Sequence, residues 1–203
     1  MKTDKEKMLA GEPYLAFCNE LVTERARAKE ILFEYNNLHP SEMEKRTEIL
    51  KHFLGATGKQ LLIEQPFRCD YGYNIRVGEN FYANMGCTIL DEALVTFGDN
   101  VLLAPNVSIY TAGHAVNVAQ RIVGWEYAYP VTVGHNVWIG GNVVILPGVS
   151  IGDNSIIGGG SVVTKDIPAN VVAAGNPCRI IKEAEEGDRY GIIDEKNGQQ
   201  SIK

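Results

Sequence analysis

Aliphatic side chains return at every sixth position through the later part of the chain, at Val133, Ile139, Ile145, Ile151, Ile157 and Val163. Four residues after most of them comes a generally smaller side chain: Val137, Val143, Val149, Ser155 and Ser161. The frame is already present at Val77, Ala83 and Ile89 and, after a slip of two residues, at Phe97, Leu103 and Ile109. The phrase aliphatic-Gly-x-Asn opens at Val77, Phe97, Val133 and Ile151, and Gly140 and Gly158 follow their aliphatic residues in the same way. A period of six fits neither the 3.6 of a helix nor the 2 of a simple strand. It fits a solenoid with three flat faces of six residues, about eighteen per coil, whose inward side chains fill a prism. Neighbouring coils then pair as parallel strands ~4.8 Å apart, with Gly or Asn turning the corners at positive φ. A helix over residues 131–168 is excluded by its glycines and Pro147. The expected fold class is mainly β, a parallel β-helix. The period leaves its hand open, since parallel crossovers are otherwise right-handed.

Three segments are expected: a helical region at 1–60, the solenoid at 61–182, and a polar tail at 183–203 that carries no motif. Residues 23–37 contain strong helix formers without Gly or Pro. Ser41–Glu44 has the S-x-x-E form of a capping box, opening a helix that buries Leu50, Phe53 and Leu54 and stops at Gly55. This front region reads as a packing appendage or lid. The tail begins with Glu183, Glu185, Glu186 and Asp188.

Between Ile109 and Val133 the frame lapses, because Ala115, Arg121 and Tyr127 make a poor core set. The simplest reading is a loop extruded at about 111–129, and long loops in compact folds usually carry function. His114 stands at its root, where rigid backbone can hold an imidazole that titrates near neutrality. His135, at a corner, reads as a solvated turn residue, and His39 and His52 as structural or exposed.

A net charge of −6 argues against nucleic acid as a partner. Met1–Met8 lacks the apolar run of a secretory signal, and no stretch approaches a membrane span. Cys18, Cys69, Cys87 and Cys178 lack the spacing of a zinc site or disulfide framework, so a cytoplasmic chain with reduced thiols is expected.

Several runs together resemble one known family over residues 6–182. They are Met8-Leu9-Ala10-Gly11-Glu12, Phe67-Arg68-Cys69-Asp70-Tyr71-Gly72-Tyr73-Asn74-Ile75, Asn80-Phe81-Tyr82-Ala83-Asn84, Leu103-Ala104-Pro105-Asn106-Val107, Gly113-His114, Asn136-Val137-Trp138-Ile139-Gly140-Gly141, Val163-Thr164-Lys165-Asp166-Ile167-Pro168 and Gly175-Asn176-Pro177-Cys178-Arg179. The family is the maltose/galactoside O-acetyltransferases of the hexapeptide-repeat superfamily. The resemblance implies a left-handed β-helix, a homotrimer, and acetyl-CoA bound along the solenoid between subunits. It implies that His114 deprotonates a hydroxyl of a small sugar-like acceptor, and that Asn84 hydrogen-bonds the acceptor and its reacting hydroxyl. Asp70, Glu92 and Glu126 match acceptor-side positions; each could equally be a solvated turn residue. Trp138 would line the cleft, and the Gly141 N–H matches an oxyanion donor. Gly159, Thr164, Lys165, Arg179 and Lys182 match coenzyme contacts, the cations having phosphates to neutralise.

Two positions depart from the family pattern. An acidic acceptor contact of relatives is Ala16 here, and the Pro that often follows the catalytic His is Ala115. The alternatives are a same-fold acetyltransferase acting on a xenobiotic or other small hydroxyl or amine, and a non-catalytic scaffold. A zinc hydratase on this solenoid would need three His ligands, and only His114 and His135 fall in it.

Overall fold

A computed structural model describes residues 1–184, so the tail expected beyond that point lies outside the described residues. Parallel strands stack on three faces of a prism. The first face holds Ile75–Arg76, Val95–Phe97, Val131–Val133 and Ser150–Ile151. The second holds Leu61–Ile63, Phe81–Ala83, Leu102–Leu103, Trp138–Ile139, Ile156–Ile157 and Val171–Ala174, with Arg179–Glu183 added antiparallel at its end. The third holds Arg68–Cys69, Thr88–Leu90, Ser108–Tyr110, Val144–Ile145 and Val162–Val163. Every frame residue named above, from Val77 to Val163, is buried in one core cluster or, for Ser155 and Ser161, buried beside it.

The later coils take eighteen residues, as expected: Thr132 pairs with Ser150, Trp138 with Ile156 and Val144 with Val162. The earlier coils take twenty, since Arg76 pairs with Thr96, Tyr82 with Leu102 and Thr88 with Ser108. Tyr82, Thr88 and Thr96 locate the two extra residues at one corner, where the chain leaves the third face and returns to the first. We call this the closing edge. It carries 70–74 on one coil and 91–94 on the next.

Gly and Asn turn corners at positive φ as expected: Gly86, Asn106, Asn142 and Gly160 on the edge between the second and third faces, and, on the edge between the first and second, Asn80, Asn100, Asn136, Asn154 and Asn170, with φ of 54 to 59°. The amides of these last five form a ladder of hydrogen bonds 2.8–2.9 Å long, each donating to the next. The glycines of the Gly-x-Asn phrase do not have positive φ; they are needed because the coils approach too closely for a Cβ. One added at Gly140 would stand 2.6 Å from the Gly159 nitrogen and 2.8 Å from the Ile157 carbonyl oxygen. The residue between Gly and Asn also works: Glu79, Asp99, His135 and Asp153 each accept a backbone N–H from the preceding coil. His135 is therefore more than a solvated turn residue, because its Nδ1 accepts from Asp99.

Three helices precede the solenoid: α1 (Asp4–Leu9), α2 (Asn19–Asn37) and α3 (Met43–Phe53). Leu32, Tyr35, Leu50 and Leu54 join the solenoid core, so α2 and α3 plug its open end. Asn36 fixes that contact by pairing with both backbone groups of Phe67. The capping box expected at Ser41–Glu44 does not form. Glu42 is the N-cap and has no capping side-chain bond, because its carboxylate accepts the His39 N–H while Ser41 pairs with the His39 ring. The helix ends with Leu54 as C-cap, so Gly55 lies one residue beyond. A true capping box occurs instead at Thr3 and Glu6 of α1.

Residues 111–129 leave the solenoid, but as an ordered arm rather than an irregular loop. Ala112–His114 and Trp125–Ala128 form an antiparallel hairpin, and α4 (Val118–Val123) spans its tip. Tyr14–Leu15 adds a third strand along Trp125–Glu126. Substituting Gly140 with Ala should destabilise the fold by about 1–3 kcal/mol, because both clashing atoms are backbone of the adjacent coil. Thermal unfolding checks this, and an unchanged Tm would show that the coils can spread.

Candidate active site on the closing edge

Successive coils place Asp70, then Asp91 and Glu92, then the root of the arm on the closing edge. The widened corners leave backbone donors that the strand ladder cannot reach, and Asp91 takes three of them. Its Oδ1 accepts from Asp70 and Tyr71 at 3.0 and 2.8 Å, and its Oδ2 from Gly72 at 2.8 Å. Burial nevertheless prevails over these donors and pushes the Asp91 carboxyl up to about 6. Glu92 is 5% exposed. Burial, then a hydrogen bond to Asp70 and the charge of that carboxylate, push the Glu92 carboxyl well above its ordinary value. Thr111 Oγ1 lies 3.3 Å from Glu92 Oε2 and accepts the Ala93 N–H at 2.9 Å. Glu92 is thus no solvated turn residue, and Asp70 is half-buried beside it.

His114 ends the first strand of the arm with its side chain 58% exposed. Its cross-strand partner is Glu126, which puts both side chains on one face of the hairpin. Glu126 Oε1 stands 3.6 Å from His114 Nδ1, and Oε2 accepts a 2.8 Å hydrogen bond from the hydroxyl of buried Tyr14. Burial, then the Glu126 carboxylate, push the Tyr14 phenol far above its ordinary value, so it stays a donor. Arg25 on α2 donates 2.6 Å bonds to the Tyr71 hydroxyl and the Ala16 carbonyl, and its charge also faces Asp70 and Glu126.

The remaining residues predicted from sequence lie elsewhere. Asn84, Gly141 and Gly159 occupy the opposite margin of the third face, on turns that leave the second face, with the turn at Ala104–Asn106 between those of Asn84 and Gly141. Trp138 projects outward from the second face, half-exposed. Thr164 and Lys165 are exposed on the closing edge, beyond the arm. Arg179 and Lys182 sit on the last antiparallel strand, also exposed. One chain therefore unites His114 with Glu126 and Asp70 with Glu92, but separates both pairs from Asn84 by the width of a face. A groove of about 480 Å³ between α2 and the third face reaches Asp70 but not His114. Among the described residues, no group of three or more His, Cys, Asp or Glu is placed to hold a metal ion.

The maltose acetyltransferase hexapeptide capping motif matches residues 7–58, and the bacterial transferase hexapeptide model of six repeats matches residues 130–165. The galactoside O-acetyltransferase of Escherichia coli (strain K12) is 47% identical over 197 residues, covering 97% of each chain. The chain belongs to the maltose/galactoside O-acetyltransferase family. A maltose O-acetyltransferase from Clostridium difficile 630 is similar in structure, with a TM-score of 0.90 at 56% identity, over 91% of this chain and 99% of that one. A galactoside acetyltransferase in complex with coenzyme A has a TM-score of 0.89 at 46% identity, over 100% of both chains.

Within this family frame, sequence reasoning missed Tyr14, Arg25, Asp91 and Thr111. The two-residue slip in the repeat was the available signal for Asp91, since it marks the corner that needs an acceptor. Nothing local marks Tyr14, whose partner is 112 residues away. At the departure noted above, Ala16 is buried, and its carbonyl serves Arg25.

Glu92 offers a test with a definite sign. A carboxyl whose folded pKa is raised adds stability that is full below its unfolded value and is lost as pH climbs through the raised one. Glu92→Gln cannot ionise, so it should flatten that loss. Melts between about pH 5 and pH 9 should show the variant gaining on the parent as pH rises; parallel curves would mean that Glu92 is ionised in the fold.

Proposed function

We propose that the protein transfers the acetyl group of acetyl-CoA to a hydroxyl of a small sugar or glycoside, as a homotrimer in the cytoplasm. The observation that carries this reading is the exposed imidazole of His114, set on an ordered strand with a largely buried carboxylate facing its Nδ1. A carboxylate there favours the tautomer protonated on Nδ1 and leaves the Nε2 lone pair for an incoming hydroxyl. Nε2 takes the acceptor proton as attack proceeds, and Glu126 steadies the imidazolium that results. This gives Glu126 the role of orienting the base rather than binding the acceptor. Asp70 and Glu92, side by side on the closing edge, offer carboxyl oxygens as partners for sugar hydroxyls.

Acetyl-CoA supplies an activated acyl group and a thiol leaving group. The residues assigned to it suit its chemistry: Lys165, Arg179 and Lys182 are cations for phosphate, and Trp138 is an exposed aromatic surface. Gly141 and Gly159 leave backbone uncovered on one margin, where the Gly141 N–H can donate to charge building on the acyl oxygen.

Asn84 and Gly141 lie across the third face from His114, roughly 20 Å of extended chain. A site using all three needs a second copy of the chain, which supports the trimer. The outward side chains of the second face agree: Leu102 and Trp138 are about half exposed, and Tyr82, Ile156 and Val172 flank them. On the first face the corresponding row is Arg76, Thr96, Thr132 and Ser150. The free state of the cysteines fits a reducing compartment.

Thiol release from acetyl-CoA across a panel of maltose, galactosides, other glycosides and xenobiotic alcohols tests the reading. His114→Ala should lower kcat by at least ~10² while the assembly keeps its mass in solution. Undiminished turnover in that variant would refute the base assignment, and turnover confined to xenobiotics would refute the acceptor class. Arg179→Ala should raise the KM for acetyl-CoA about tenfold and leave kcat near the parent value.

A further inference from the structure

Tyr14, Glu126 and His114 occupy directly opposed positions on the three adjacent strands of the arm sheet. Opposed residues project to the same face, so their side chains form one row. Glu126 is anchored at Oε2, which receives the Tyr14 hydroxyl at 2.8 Å, and its Oε1 faces the imidazole at 3.6 Å. Tyr14 itself is fully buried among Met8, Leu21, Tyr71, Ala93 and Ala128. A phenylalanine would supply the same packing there without the cost of desolvating a hydroxyl. Among the described residues the hydroxyl has one hydrogen-bond partner, the carboxylate facing the base.

We infer that Tyr14 is a positioning residue for catalysis, acting through Glu126 to hold the His114 imidazole in its working tautomer and orientation. This rests on the base assignment for His114. Without the phenol, a glutamate with only 13% of its side chain exposed keeps one anchor fewer and can rotate away from Nδ1 or turn toward Arg25. The N-terminal segment is then part of the chemistry as well as a cap on the solenoid.

A double-mutant cycle tests it, with steady-state kinetics on Tyr14→Phe, Glu126→Ala and the pair. Tyr14→Phe should lower kcat about tenfold, the scale of one lost hydrogen bond to a charged group, with both KM values within about twofold of the parent. In the Glu126→Ala background the same change should cost nothing further. Met8→Ala serves as the structural control: it perturbs the same apolar cluster, and should lower Tm while keeping kcat, measured well below the melting point.

An unchanged kcat in Tyr14→Phe would overturn the inference. So would an equal cost with and without Glu126, or an equal loss of kcat in Met8→Ala, since each describes a general loosening of the arm. If His114→Ala keeps turnover, the base assignment fails first. If His114→Ala is inactive and Tyr14→Phe is not impaired, only the role of Tyr14 fails.

Discussion

Each coil must lie one strand spacing, about 4.8 Å, from the next if every N–H is to find a carbonyl in its neighbour. That spacing decides which residues can stand where. At Gly140 it leaves no room for a methyl group, and at Asn136 it asks for a left-handed residue whose amide can join the ladder. The six-residue period is the imprint of this requirement, and it keeps the faces straight enough to hold side chains at fixed heights.

Corners are where such a stack can vary without breaking. On the closing edge two coils widen by two residues and a third sends out the arm, while the strands on either side keep their pairing. Widening exposes backbone donors inside the fold, and an acidic side chain is the economical answer. Asp91 answers for three of them, and its burial beside Asp70 and Glu92 makes an acidic, poorly solvated wall. The polar surface on which an acceptor could be read thus follows from a solenoid accommodating irregular coils.

Much of the fold was legible because it is periodic. The frame from Val133 to Val163 named core residues correctly, and the lapse after Ile109 marked the arm. What the chain did not disclose is non-local or competitive. The third strand of the arm sheet comes from Tyr14–Leu15, which no window around the arm contains. The Ser41–Glu44 pattern failed as a cap because the His39 ring and backbone claimed the same side chains. Gly86, Gly148 and Gly160 do turn corners at positive φ, but the glycines that directly follow the aliphatic residues are required by contact, and a sequence does not show how near the next coil lies. At the site, His114 stood out by its place at the arm root, while Tyr14 and Arg25 carry no mark apart from their partners.

The short strand at Tyr14–Leu15 has a consequence for how the chain comes to be folded. Its only strand partner among the described residues is Trp125–Glu126, so it belongs to the contacts of highest sequence separation. Helix α2 can form while the chain is still short, and coils can add one at a time to those already made. The strand before α2 must wait until residue 126 has been synthesised and the hairpin has closed, since loop closure has to precede the contact. Packing around Met8 and Tyr14 is therefore completed late, although it involves some of the first residues made.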